Sequence, residues 1–212
     1  MKGKGLLIVT IIFFLVINTA YYWEVMVGFF LIPILLILVI VYLVLVVLLI
    51  RQIYIIIRDK FSNKFQLLVV VLLTSVLTLT FFKPYGFIDY DKLQGNDLLI
   101  AGREGVANCM TILKLKDNYT FRARSMCFGV TEIKGEYHLQ NDTIYFDNVK
   151  LGRNEDEYYE FAIIRNPSEY WDFTYECISD LRLFKNQRDT IGDEFCIIKD
   201  ELYKLKNKTP NR

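Results

Sequence analysis

The chain has 212 residues, with 25 Lys and Arg against 24 Asp and Glu, one histidine, and hydrophobic residues making up 53%. That balance excludes a nucleic-acid module built on a basic surface, and from Lys83 onward acids lead by 22 to 19. There is no Cys-x-x-Cys, Gly-rich phosphate loop, G-x-S-x-G elbow or H-E-x-x-H, so no catalytic residue, metal or other cofactor is expected.

The apolar residues crowd into the first 82 positions. Residues 5–23, 25–50 and 65–82 carry no charge, and each is long enough to cross a hydrocarbon core of about 30 Å as a helix. They are apolar all round, whereas a buried helix of a soluble protein keeps a polar stripe. Three transmembrane helices are therefore predicted within residues 1–84, with Pro33 expected to kink the second. Tyr21, Tyr22 and Trp23 suit an interfacial aromatic belt. Lys2 and Lys4 also make the basic start of a signal peptide. The apolar stretch behind them exceeds a usual signal core, which favours an uncleaved helix.

Cytoplasmic flanks hold the excess of Lys and Arg. Lys2 and Lys4 precede the first span, and the connection 51–64 carries Arg51, Arg58, Lys60 and Lys64 against one acid, Asp59. The turn between the first two spans offers only Glu24. Both basic segments belong inside, which places the N-terminus in the cytoplasm and residues 85–205 outside it. All four cysteines, Cys109, Cys127, Cys177 and Cys196, fall in that outer part, where disulfides form.

From about residue 97 the apolar period drops to two, with turn signals every ten or so residues. Strands are predicted near 98–103, 108–116, 119–127, 130–139, 143–148, 158–165, 171–184 and 193–199. Seven or eight short strands in order make an all-β domain, an antiparallel meander closed as a small barrel. In the first hairpin, Cys109, Thr111, Leu113 and Leu115 share a face with Phe121, Ala123, Ser125 and Cys127. Burial of that face leaves two registers. Residue numbers totalling 236 set Cys109 opposite Cys127, near disulfide geometry. A total of 234 puts Asn118 in the left-handed position of a three-residue turn and leaves the cysteines diagonal. A Cys109–Cys127 disulfide is expected over two reduced core cysteines. Asn141-Asp142 suits a two-residue turn that sets Leu139 opposite Ile144 and Tyr137 opposite Phe146, and Gly135 marks a bend. Trp171, Phe173, Tyr175 and Cys177 alternate onto one face, while Cys196 finds no evident partner. Residues 206–212 are a polar tail.

The motifs "LKLKDNYTF", "CFGV", "KGEYHL" and "NDTIYF" resemble, over residues 100–150, the small lipocalin-like β-domains of uncharacterised bacterial envelope proteins. The resemblance implies a barrel that is hollow and holds a small apolar ligand, or is packed solid. Leu113, Leu115, Phe121, Tyr137, Phe146, Trp171, Phe173 and Tyr175 are the candidate lining. In architecture alone the chain also resembles antiphage effectors that join transmembrane helices to a β-barrel sensing cyclic nucleotides, but such a barrel must face the cytoplasm.

His138 points away from Tyr137 and Leu139, toward solvent. Glu155, Asp156, Glu157 and Glu160 lack the ligand spacing of a calcium loop. The spans hold no Asp, Glu, Lys, Arg or His, so an ion path is not expected. Thr10, Asn18, Thr19, Thr74, Ser75, Thr78 and Thr80 are candidates for hydrogen bonds between helices and for self-association. The reading is a non-enzymatic, multi-pass protein of a bacterial inner membrane. Its partners are the lipid bilayer and a small apolar ligand, envelope component or protein. A cytoplasmic sensor or effector and an immunity protein against a secreted toxin are the alternatives.

Overall fold

The computed structural model describes residues 2–60, 63–84, 86–88, 90–106, 109–153, 155–166 and 177–206. The chain forms two compact units, Met1–Asp89 and Tyr90–Arg212.

The first unit is helical: α1 (Lys2–Asn18), α2 (Ala20–Val27), α3 (Leu31–Arg58) and α4 (Lys64–Phe82), with a 3₁₀ turn at Gly28–Phe30. Two stretches are long and apolar enough to cross a membrane, Ala20–Arg58 with 39 residues and Lys64–Phe82 with 19; the apolar part of α1, Gly3–Asn18, is shorter. The expected division into three spans at Glu24 is therefore corrected. The first break falls at Thr19, where the Thr19 hydroxyl donates to Leu15 O (2.8 Å) and the Asn18 amide to Phe14 O (2.8 Å), side chains competing for the last carbonyls of α1. The second falls at Gly28, whose combination of φ 54° with ψ −120° suits glycine alone. Pro33, expected to kink the second span, sits in the first turn of α3, where a missing N–H costs little. The segment 51–58 continues α3, so the connection reduces to residues 59–63, closed by Asn63 accepting from the N–H groups of Phe65 (3.1 Å) and Gln66 (3.3 Å).

α1, α3 and α4 pack along one seam of Leu6, Phe13, Leu45, Val69, Leu73, Val76 and Leu77. The opposite faces leave Leu36, Val47, Ile50, Val71 and Phe81 exposed. The Thr10 and Ser75 hydroxyls donate to carbonyls four residues back in their own helices (2.8 and 2.9 Å) rather than across the bundle.

The second unit is a closed eight-stranded antiparallel barrel in simple sequence order. Its strands are β1 (Asp97–Glu104), β2 (Met110–Lys116), β3 (Thr120–Met126), β4 (Val130–Gln140), β5 (Thr143–Lys150), β6 (Phe161–Arg165), β7 (Ser179–Phe184) and β8 (Asp193–Asp200). Short helices precede and follow them, α5 (Tyr90–Leu93) and α6 (Tyr203–Lys206). β1 pairs with β8 through Leu99 and Asp200, Ala101 and Ile197, and Gly102 and Cys196, which leaves no sheet edge.

The first hairpin takes the register totalling 236, with Leu113 opposite Ala123 and Leu115 opposite Phe121. Cys109 and Cys127 are bonded, their Cα atoms 4.4 Å apart. The left-handed residue is Tyr119 (φ 62°) rather than Asn118. Asn118 serves the turn with its side chain, accepting from the Thr120 N–H (3.3 Å) and hydroxyl (2.7 Å) and donating to Gln94 O (2.9 Å). The second hairpin has the expected pairs Tyr137 with Phe146 and Leu139 with Ile144, and Asn141 and Asp142 both have positive φ, as its two-residue turn requires. β7 begins at Ser179, so the predicted strand 171–184 is shorter; residues 171–176 lie outside the described residues. Cys177, ahead of β7, is bonded to Cys196 in β8, a pairing the strand alternation did not disclose.

At Gly135 the β4–β5 register shifts by one residue. An added Cβ there would stand 2.6 Å from Asp147 O, 2.7 Å from Phe121 Cε1 and 3.1 Å from Val149 Cα. Neither backbone neighbour can yield cheaply. Gly135→Val should lower the stability of the detergent-solubilised chain by about 2 kcal/mol, read from denaturant unfolding followed by near-ultraviolet circular dichroism.

Candidate functional site

Among the described residues, the barrel interior is occupied by apolar side chains. Leu113, Leu115, Phe121, Tyr137 and Phe146 all join one buried cluster with Leu99, Ala101, Ala162, Leu181, Leu183 and Ile197. The Phe121 ring stacks on Tyr158 at 5.3 Å and meets Phe146 edge-on at 4.8 Å. Burial pushes the phenols of Tyr137 and Tyr158 well above their ordinary value, and the Tyr137 hydroxyl donates to Lys116 O at 2.7 Å. Trp171, Phe173 and Tyr175 lie outside the described residues. The five described lining candidates thus act as core, in keeping with an eight-stranded barrel just wide enough for side chains.

The chemistry sits on the outer face. Lys114, Lys116, Arg122 and Arg124 alternate outward on β2 and β3, opposite in phase to the core residues. Segment 90–97 lies across them. Asp91 pairs with Lys114, with Lys116 at 3.2 Å and with Arg122 at 3.3 Å. Asp97 pairs with Lys114 at 3.1 Å and Lys116 at 2.8 Å. Lys116, only 2% exposed in its side chain, also donates to the carbonyls of Asp91 (2.8 Å) and Gly95 (3.2 Å). A buried ammonium is tolerable only with such a full set of acceptors. Arg122 completes the network on Glu132 at 2.7 Å. Asp117 fastens the same segment by accepting from the Asn96 N–H (3.0 Å) and amide (2.9 Å).

Burial alone would raise the Asp91 carboxyl, but the hydrogen bonds and charges of Lys114 and Lys116 outweigh it and hold it below the ordinary carboxylate value. Burial likewise opposes the Lys114 ammonium, yet Asp91 and Asp97 carry it above its ordinary value.

Two concavities open to solvent border this face among the described residues. One, of about 280 Å³, lies among Asn96, Leu98, Asp117, Lys199 and Glu201. The larger, of about 500 Å³, runs from Leu93 and Gln94 over Arg122 to Lys134, Gly135 and Lys150.

His138 is exposed as expected, its Nδ1 2.5 Å from Asp147 Oδ2 and its ring stacked on Tyr145 at 5.2 Å. Sequence reasoning missed a cluster in which Asp193 pairs with Arg103 and accepts from the Tyr159 hydroxyl at 2.6 Å; its members lie 34 and 90 residues from Asp193. Among the described residues no group of three His, Cys, Asp or Glu is placed to hold a metal ion. Of the basic residues taken to set orientation, Lys2 and Lys4 lie in α1. Arg51 and Arg58 lie in the last turns of α3, Lys60 follows that helix, and Lys64 begins α4.

Asp91 is more acidic folded than unfolded, so its stabilisation is present above its ordinary pKa and fades as pH falls through the folded value. Asp91→Asn should cost about 2 kcal/mol at neutral pH and flatten the fall in melting temperature below about pH 4, measured by thermal denaturation across that range. No family model, curated protein or solved structure matches the chain.

Proposed function

We propose that this chain is a non-enzymatic membrane protein whose helical unit anchors a β-barrel outside the cytoplasm, where the outer surface of the barrel recognises a protein or envelope component. The carrying observation is the sulfur chemistry: all four cysteines lie in the barrel unit and form two disulfides, as suits an oxidising compartment. The helical unit supports the anchor. Its exposed faces are apolar, a surface suited to hydrocarbon and costly in water. Arg51, Arg58, Lys60 and Lys64 cluster at the α3–α4 connection, which by the bias of basic flanks belongs to the cytoplasmic side. With α4 as the last crossing, the barrel then lies outside.

The packed interior favours a partner on the outer surface over a small apolar ligand within. The lipocalin-like character and the bacterial inner membrane belong to this proposal on the strength of the sequence motifs. Self-association through the helices belongs to it as well, by packing of the exposed apolar faces, since the Thr10 and Ser75 hydroxyls are engaged within their own helices.

A reporter that matures only in an oxidising compartment, fused after Arg212, should be active, and the chain isolated under thiol-blocking conditions should take up alkylating reagent only after reduction. An inactive reporter together with four free thiols would transfer the barrel to the cytoplasm and favour the sensor reading instead. Replacing both Cys109 and Cys127 by Ser should cost about 3 kcal/mol of stability, the chain-entropy value for a loop of this length, read from the melting temperature with and without reductant.

A further inference from the structure

The larger cleft on the outer face has an electrostatic imbalance that the fold does not need. Lys134 on β4 and Lys150 on β5 are direct cross-strand partners, both lining the cleft. Like charges facing each other across a ladder are destabilising. No carboxylate among the described residues lies within ion-pair distance of Lys150. Lys134 has only the far oxygen of Glu132, at 3.8 Å, whose other oxygen is held by Arg122 at 2.7 Å. The one acid lining the cleft, Glu136, accepts from the Asn148 amide at 2.7 Å. The deeper cations, Lys116 and Arg122, are already matched by Asp91, Asp97 and Glu132. Against these two ammonium groups the lining sets one carboxylate, Glu136, and the long contact to Glu132, so positive charge is in excess over the open cleft.

The shape of the cleft comes from the same place. Gly135, between Lys134 and Glu136, presents no side chain, and the register slips there while Asn148 opposite adopts φ 49°. The volume, about 500 Å³, exceeds that of one tetrahedral oxyanion and leaves room for a group attached to it, against Leu93 and Thr120.

We propose that this cleft binds a phosphomonoester, its dianion bridging Lys134 and Lys150. Two monocations call for two negative charges, which a phosphomonoester carries near neutral pH and a carboxylate or phosphodiester does not. The phosphate belongs either to a free phosphorylated molecule or to the headgroup of a lipid such as phosphatidic acid. The inference holds whichever side of the membrane the barrel occupies, so it stands or falls apart from the topology.

The test is protection of lysines from a water-soluble acylating reagent, quantified by mass spectrometry on the full chain. One arm uses detergent-solubilised protein with inorganic phosphate against chloride at equal ionic strength. The other uses protein in phosphatidylcholine bilayers with and without phosphatidic acid. Lys134 and Lys150 should be protected while Lys185 is not. Protection in the first arm identifies a soluble phosphate, and protection in the second alone identifies the lipid. Phosphate affinity, or the phosphatidic acid content needed for half protection, should weaken about tenfold in Lys150→Gln, with protection then read at Lys134, and further in the Lys134→Gln/Lys150→Gln pair, read from the phosphate- or lipid-induced rise in melting temperature. Without ligand the double variant should melt no lower than the parent, since it loses a repulsion. Absence of protection in both arms, or binding unchanged by the double variant, overturns the proposal.

Discussion

Pairing of β1 with β8 is the constraint from which the rest of the barrel follows. Once the sheet closes, every strand has two neighbours and the inward residues have a fixed volume to fill. Alternation then leaves no freedom. Leu113, Leu115, Phe121, Tyr137 and Phe146 must point into that volume, and the side chains between them must point out. Among the described residues the interior is occupied by aliphatic and aromatic groups, and the charged groups fall on the outer face, the loops and the barrel ends. The concentration of Lys and Arg on the outside of β2 and β3 is the direct complement of the core on their inside.

An outward row of cations does not by itself bury a lysine. Lys116 is buried because segment 90–97 folds back over it and brings Asp91, Asp97 and two carbonyls within reach. The segment is held in three places: Asp91 on β2 and β3, Gln94 on Asn118, and Asn96 on Asp117. Replacing such a network by apolar groups can be neutral, whereas removing one partner leaves a buried charge unmatched. Its consequence is therefore positional as well as energetic: the stretch of chain that enters the barrel is fixed to the first hairpin before β1 begins. The disulfides act differently. Cys109–Cys127 spans 18 residues and Cys177–Cys196 spans 19, and each ties neighbouring strands already joined by a loop. They restrict the unfolded chain locally and leave closure to the β1–β8 ladder.

The parity of each register was legible in the sequence wherever one face is apolar, while in the first hairpin the choice between totals of 236 and 234 was not. A one-residue slip in the first hairpin would turn either Leu113 or Phe121 to solvent, and the Asn141-Asp142 turn left only one pairing for Tyr137 and Phe146. Helix breaks were not legible, because residues 5–50 are apolar almost without interruption and hydropathy has no period there. Two polar side chains at 18 and 19 and a glycine at 28 decide the matter, while the charged Glu24 stays within α2. The Cys177–Cys196 pair was hidden because Cys177 precedes its strand and so escapes the alternation. The Asp91 network joins residues 23 to 31 apart through a segment with no pattern of its own, so only the folded chain reveals it.

The two units differ in where charged groups are found. Positions 25–50 and 65–82 contain no Asp, Glu, Lys, Arg or His. The hydroxyls of Thr10 and Ser75 are spent on carbonyls of their own helices, and Tyr42 donates to Leu77 O at 3.5 Å across the α3–α4 seam. A path for ions or protons needs groups that exchange partners along a polar cavity, and none of these donors is free to do so. Charge that is abundant and incompletely matched stands instead on the outside of β4 and β5, where Lys134 faces Lys150, and there the proposed ligand would find its counter-charge.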